Sequence, residues 1–477
     1  MMRKIHGAIV LVLAMSAAIY IISLSPSPAQ PPETQNESSE TITGPMENDS
    51  RLFWLSEKME GWIYWSSVAI SPATNTLYVG TSGIDGSPAN ADYTNALYAI
   101  DMSNGKIRWR YDLLEDHVVK GPVVIAPDGT IYFIAVDMPS YDAMGPGLAT
   151  HLYAVNPDGT EKWKKLNISP VSPHFWGVAS PAVDSEGNLY LNVCVSATTP
   201  PTHALVALDP SGNEKWRYEF PGTERVVWPP PAVHGDTVYL MSCSGMFAIS
   251  RTTGQLLWRN SNYALGDTTP PVIGGDGTIY AGSGRNLIAY TPSGEIKWIF
   301  DAKAKILAPP VIGEDGTIYL GTTAKDMADP KKIAGYLWAI DPSTGREKWM
   351  FNIDPWMYDE YENTWKNADI YAPPVVGGDG TIYFTAEYRY VWALNPDGTL
   401  RENYDLNKFA AGWPGGTVTY SALVLDENGI LYKADSNTLP GTEKEWGVII
   451  AIRTQSRGLA NSPWPKGYRN YQNTSSG

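Results

Sequence analysis

The residues with which this chain could do chemistry are six histidines, two cysteines and its acids, and their spacing points to little. His6 lies in the leader, while His117, His151, His174, His203 and His234 form no close-spaced ligand pair. No G-x-S-x-G elbow and no H-E-x-x-H is present, so neither a hydrolase nucleophile nor a zincin helix is expected. Glu115/Asp116 and Asp359/Glu360 have the residue types of a glycosidase pair, yet adjacent acids in polar loops are ordinarily solvated. Cys194 and Cys243 are too few for a disulfide framework or a four-cysteine zinc site. Each follows a Tyr of the same local phrase (Tyr190, Tyr239) by four residues, which turns both sulfurs to matching faces of neighbouring units rather than toward each other. An exported protein favours a bridge between its two cysteines, so the pairing stays open. No catalytic residue and no metal ligand set is predicted.

The elements that would carry any site repeat. A Pro-led apolar segment, an Asp-Gly turn, a Thr-Ile-Tyr strand, an Ala-x-Asp/Asn strand, a Gly turn and a Trp recur, as in "PPVIGGDGTIYAGSGRNLIAYTPSGEIKW". The Ala positions are Ala99, Ala154, Ala207, Ala248, Ala289, Ala339, Ala393 and Ala451. Nine or ten residues later stands Trp109, Trp163, Trp216, Trp258, Trp298 or Trp349; Glu402 replaces the seventh, and in the eighth unit the next Trp is Trp464. Each unit reads as four short strands with alternating apolar residues, and a unit of that size is a propeller blade. The predicted fold is all-β: an eight-bladed β-propeller of four-stranded blades. The strand "RLFWLSE" (51–57) precedes the first strand of blade one and resembles a fourth strand, so it is expected to complete blade eight and close the ring. The turn acids Asp128, Asp158, Asp276, Asp315, Asp379 and Asp397 are expected to shape turns rather than bind calcium.

Composition agrees. The chain has 477 residues, with 44 Gly, 37 Pro and 18 Trp, which disfavours a helical protein; 43% hydrophobic residues supply a core, which excludes a disordered one. A net charge of −15 disfavours nucleic-acid binding. Arg3 and Lys4 precede an apolar run from Gly7 to Leu24, so residues 1–29 read as a signal peptide, cleaved after Ala29, or as an uncleaved membrane anchor. In both cases the remainder is extracytoplasmic, secreted or held at the outer face of the cytoplasmic membrane. Residues 30–50 form a disordered Ser/Pro/Glu-rich linker, 51–465 the propeller, and 466–477 a C-terminal tail. Asn36, Asn48, Asn167 and Asn473 begin glycosylation sequons.

The phrases "AIDMSNGKIRW", "AIDPSTGREKW" and "ALDPSGNEKW" resemble the tryptophan-docking motif of quinoprotein-type (PQQ-like) eight-bladed propellers. The resemblance covers about residues 51–465 and is closer to the non-catalytic BamB-like members than to PQQ dehydrogenases. It implies that Trp109, Trp163, Trp216, Trp258, Trp298 and Trp349 pack between blades. Quinoprotein enzymes hold PQQ between a Trp and a vicinal disulfide, with calcium on Glu, Asn and Asp side chains. This chain has no adjacent cysteines, and the acids at its innermost-strand starts are only Asp267 and Asp369, with Lys120, Arg225 and Lys305 the cations there. No cofactor is expected; PQQ with calcium belongs to the alternative reading, an alcohol or sugar dehydrogenase, and a sugar-active propeller enzyme is a further alternative.

Strand order sends the long connections (82–95, 136–151, 323–335, 354–371 and 436–447) to one face and leaves tight turns on the other. Trp62, Tyr64, Trp65, His174, Phe175, Trp176, Trp228, Tyr371, Trp413 and Tyr420 fall just before innermost strands on that face. The 354–371 insertion adds Trp356, Tyr358, Tyr361 and Trp365. The candidate binding residues are Trp62, Trp65, Trp176, Trp228, Trp356, Tyr358, Tyr361, Trp365, Tyr371 and Trp413, set against the alternative that such side chains only pack between blades. The expected protein is a monomeric, non-catalytic scaffold whose partner is a protein or glycan at the cell envelope.

Overall fold

The computed structural model describes residues 50–470 except 64–65, 83–94, 115–116, 138–148, 170–179, 196–201, 222–228, 243, 263–267, 324–334, 354–357, 360–363, 366–368, 387–389, 407–420, 439–444 and 467–469, and all described residues belong to one compact unit. Period-two runs of apolar residues, cut by Asp-Gly and Pro turns, fold into short antiparallel strands, and these form eight four-stranded blades in a propeller ring. Blade one consists of Ala69–Ser71, Thr76–Gly80, Ala96–Asp101 and Ile107–Asp112, from the inside outward. Blade two has Val124–Ile125, Ile131–Asp137, Thr150–Val155 and Glu161–Ser169, plus a short strand, His117–Val119, beside Ile131–Asp137. Blades three to seven repeat the order over 182–219, 232–260, 272–301, 311–352 and 375–405.

Blade eight closes the ring as expected. Its outermost strand is Leu52–Leu55, which pairs with Glu445–Arg453 through Leu52↔Ile452 and Leu55↔Ile450. The chain's two ends are thereby hydrogen-bonded within one sheet, and two exposed edges are removed.

Middle strands are buried on both faces because each blade is sandwiched between two others. Tyr336–Ile340 is buried after its first residue, whereas the outer strand Glu347–Asn352 alternates exposed and half-buried positions.

The docking tryptophans behave alike. The indole N–H of Trp109 donates to the Pro157 carbonyl at 3.0 Å, Trp163 to Pro210 at 3.0 Å and Trp216 to Arg251 at 2.7 Å. Trp258 reaches Pro292 at 2.8 Å, Trp298 Pro342 at 2.9 Å and Trp349 Pro396 at 2.9 Å. Each acceptor lies on the following blade. Each ring also covers a turn glycine there: a Cβ on Gly294 would stand 2.5 Å from Trp258, and one on Gly345 2.5 Å from Trp298. Glycine is required at these turns twice over, by positive φ and by the ring above it. Within its own blade each Trp tilts against the second-strand Tyr, as in Tyr280–Trp298 at 5.7 Å between centroids.

The eighth unit is completed by the N-terminal strand, as the sequence reading placed it. Trp464 is not a blade-closing residue; Trp54, from the N-terminal strand, takes that place, tilts against Tyr432 at 5.7 Å and covers Gly105 of blade one. In blade seven Glu402 stands opposite Ala393, where other blades carry Trp, and accepts the Tyr404 hydroxyl at 2.5 Å with Arg51 3.6 Å away.

The turn acids are structural. Oδ1 of Asp276 accepts the Thr278 N–H at 3.0 Å and Oδ2 its hydroxyl at 2.7 Å, while Lys297 of the outer strand approaches Oδ2 at 3.2 Å. Asp315–Thr317–Lys348 and Asp379–Thr381–Arg401 repeat the arrangement. Burial works to raise these carboxyls, and the hydrogen bonds and cations outweigh it and hold them below the usual range.

Candidate functional site

The two faces of the ring are unlike. On the tight-turn face the chain continues past blade eight and lies across its neighbours. Gly378 N–H donates to the Gly458 carbonyl at 3.0 Å and Ala460 N–H to Val376 at 2.8 Å. Val376 N–H donates to Pro465 at 2.8 Å and Ile312 N–H to Trp464 at 2.7 Å. The free edges of the innermost strands of blades six and seven are thus paired with residues 458–466, and β-bridges join Val375 to Lys466 and Gly377 to Leu459. Trp464 is 2% exposed and packs with Ile273 and Ile312, the innermost strands of blades five and six. The segment that begins the 466–477 tail is therefore continuous with this inner layer, and Lys466 at its end is fully buried.

At the opposite face stand the strand ends that flank the long connections. Just before the innermost strands of blades one and five, hydroxyls tie down the start of the blade: Ser66 Oγ accepts Gly80 N–H at 3.0 Å and Thr269 Oγ1 accepts Gly282 N–H at 2.9 Å. Ser67 Oγ accepts Ala422 N–H at 3.1 Å across the seam between blades one and eight. Lys120 is buried and Lys305 half-buried in the segments that lead into blades two and six. Asp369 is buried too, and the Tyr371 hydroxyl donates to its Oδ2 at 2.6 Å.

Of the predicted binding residues, Trp62 is half-buried and its carbonyl accepts Ser82 N–H at 2.7 Å; Tyr371 is half-buried on Asp369. Tyr358 and Trp365 lie on two short strands, Tyr358–Asp359 and Thr364–Trp365, which pair as a hairpin with Tyr358 opposite Trp365. The insertion thus contains its own sheet, separate from the blades. Trp65, Trp176, Trp228, Trp356, Tyr361 and Trp413 lie outside the described residues, as do Asp267, Arg225 and Cys243. Cys194 is buried at the end of Leu189–Cys194, opposite His203.

A cluster that sequence spacing missed sits in blade two at the root of the 136–151 connection. His117 faces Asp137 across one ladder, and His151 faces Ala135 across the other, two residues from Asp137 and so on the same side of the sheet. Asp137 Oδ1 lies 3.1 Å from His117 Nε2 and 2.6 Å from His151 Nε2. The imidazoles stack with centroids 4.0 Å apart and planes 13° from parallel. His117 Nδ1 is 2.7 Å from the Tyr153 hydroxyl, and His151 Nδ1 accepts the Asn167 N–H at 3.1 Å. Asn167 has φ of 57°, in the bulge where register shifts between Thr150 and Leu152. Burial pushes the Tyr153 hydroxyl up to about 12, so it is neutral and serves as donor or acceptor. Both histidines are buried. The only signal in the sequence was the His-x-Tyr pair 151/153 on one strand face, and nothing local tied it to a histidine 34 residues earlier.

Two overlapping segments, residues 48–248 and 202–439, match the family model described as outer membrane protein assembly factor BamB. No curated protein matches the chain. Among solved structures, BamB from Moraxella catarrhalis is 17% identical, covering 71% of this chain and 84% of that one with a TM-score of 0.45. A europium-containing methanol dehydrogenase is 10% identical, with 81% of each chain covered and a TM-score of 0.41. A protein of unknown function from Bacteroides caccae is 16% identical, covering 55% of this chain and 91% of that one, TM-score 0.34. With the family match reaching from residue 48 to residue 439, this chain belongs to the PQQ-like repeat family described as outer membrane protein assembly factor BamB.

Proposed function

We propose that this chain is an extracytoplasmic, non-catalytic scaffold that uses the long-loop face of its propeller to recognise a protein or glycan partner at the cell envelope. The observation that carries this reading is the asymmetry of the ring. One face is tight turns with residues 458–466 laid along the innermost strands; strand order sends the long connections, including the one that contains the 358–365 hairpin, to the other. Long loops on a rigid scaffold are where recognition concentrates. Membership in a family described by an assembly factor supports a protein partner first.

Two features weigh for this reading over a quinone enzyme. The sequence has no adjacent cysteines, and the Asp369 carboxylate is already held by the Tyr371 hydroxyl. Addition of PQQ with calcium is expected to give neither stoichiometric binding nor dye reduction with alcohols or sugars; tight one-to-one PQQ binding would overturn the scaffold reading. For the face itself, the full chain carrying Trp356→Ala and Trp365→Ala should capture less partner from solubilised envelopes while melting at the wild-type temperature. Undiminished capture by that variant rules out the hairpin as the contact.

A further inference from the structure

We propose that His117, Asp137 and His151 of blade two form a binding site for one divalent transition-metal cation of the zinc class. This goes beyond the scaffold reading and does not depend on it. Two imidazole nitrogens and a carboxylate oxygen lie within 4.8 Å of one another, the only such group among the described residues. Zinc takes nitrogen and oxygen ligands at ~2.0–2.2 Å, so ligand atoms sharing one tetrahedral ion stand roughly 3.3–3.5 Å apart. The observed separations from Asp137 Oδ1 are 3.1 Å for His117, near that spacing, and 2.6 Å for His151, a direct hydrogen bond that an ion would have to open. Nitrogen-rich donor sets of this kind favour zinc and its neighbours over calcium or magnesium, which prefer oxygen. Two histidines, one carboxylate and a position left for water is an open coordination set.

The surroundings supply what a ligand histidine needs. His117 has the Tyr153 hydroxyl 2.7 Å from Nδ1, an outer partner that orients the ring and can accept a hydrogen bond from the Nδ1 proton when Nε2 ligates. The three ligands come from three adjacent strands, Ile131–Asp137 in the middle, so the sheet holds them in register. Loading asks for two adjustments. The stacked rings must splay so that both Nε2 lone pairs meet at one ion. The Asn167 N–H must also swing off His151 Nδ1, because a ring that ligates through Nε2 carries its proton on Nδ1. Asn167 sits in an exposed bulge, where a peptide can rotate without disturbing the ladder.

The test uses the full chain, stripped with a chelator and titrated with Zn²⁺, Co²⁺ and Ca²⁺. One Zn²⁺ or Co²⁺ per chain is expected, with a tetrahedral-type Co²⁺ absorption spectrum, a higher melting temperature on loading and no response to Ca²⁺. Asp137→Asn and His151→Gln should each weaken binding by at least about 100-fold, Tyr153→Phe by about 10-fold, and His234→Ala, an exposed histidine of blade four, not at all. Absence of stoichiometric binding to the wild-type chain overturns the proposal. So does equal binding by Asp137→Asn and His151→Gln chains that keep their strand circular dichroism. Should those variants misfold, the wild-type Co²⁺ spectrum decides: an octahedral, oxygen-type spectrum excludes the histidine site.

Discussion

The indole N–H of Trp54 donates to the carbonyl of Met102 at 2.9 Å, linking the outermost strand of blade eight to the last turn of blade one. The chain's first strand thus closes the ring with the same contact that joins the other docking blades. Trp54→Ala removes the ring and the hydrogen bond, and a loss of roughly 3 kcal/mol is expected in denaturant unfolding. Trp54→Phe keeps most of the packing and should cost about 1 kcal/mol. Deleting residues 51–57 should lower the melting temperature further than either; an unchanged melting temperature would show that closure contributes nothing.

The docking glycines can be separated into backbone and clash effects. Gly294 has φ of 89° and a Cβ there would stand 2.5 Å from Trp258, whereas Gly235 has φ of 57° and open space within 4 Å. Gly235→Ala should cost only the left-handed strain, about 1 kcal/mol. Gly294→Ala adds displacement of a docked indole and should cost roughly 3 kcal/mol. Equal losses at both sites would mean that the Trp ring yields freely.

Acid should loosen the turns. The Ser103 hydroxyl, ahead of the Arg108 guanidinium, pulls the Asp101 carboxyl from 3.8 to about 2, against a smaller opposing effect of burial. The folded value is below the unfolded one, so this stabilisation is complete above about pH 4 and is lost as pH falls toward 2. Asp101→Asn should be less stable than wild type by about 1 kcal/mol at pH 6. Chemical unfolding at successive pH values should show that gap closing between pH 4 and 2.

Lys466 gives a slope of the same sign in a higher pH window, here because its burial destabilises the charged form. Burial pushes its amine from 10.5 down to about 7. Between those values the unfolded chain binds more protons than the folded one, so stability rises with pH from about 7 to 10.5 through this group. Lys466→Met should flatten that rise, measured as the change of unfolding midpoint between pH 7 and pH 10. A slope identical to wild type would show that the inner layer of residues 458–466 does not shield the amine.

How much of this was legible beforehand follows from what each feature depends on. The blade count, the turns and the six docking tryptophans were readable because each rests on residues within one unit of about fifty. Closure by residues 51–57 was readable as well, since a lone fourth strand ahead of blade one had one unfilled place to go. The strand that carries Trp54 was placed by the sequence, but where Trp464 goes was not, because that depends on the inner edges of blades far from it along the chain. Trp464 went inside, where the innermost strands of blades six and seven offered unpaired N–H groups to its segment.

The sequence by itself determined the repeating architecture and the structural role of the turn acids, since period-two patterning and turn chemistry act over a few residues. Only the tertiary structure decided that His117, Asp137 and His151 share one oxygen, and that residues 458–466 line the inner edges of two blades. Both depend on strand register and on contacts between segments 34 to 150 positions apart, as with His117 and His151 or Ser462 and Ile312. Register is settled by the whole sheet, whose hydrogen bonds and packing must be satisfied together, and no short stretch of sequence carries it.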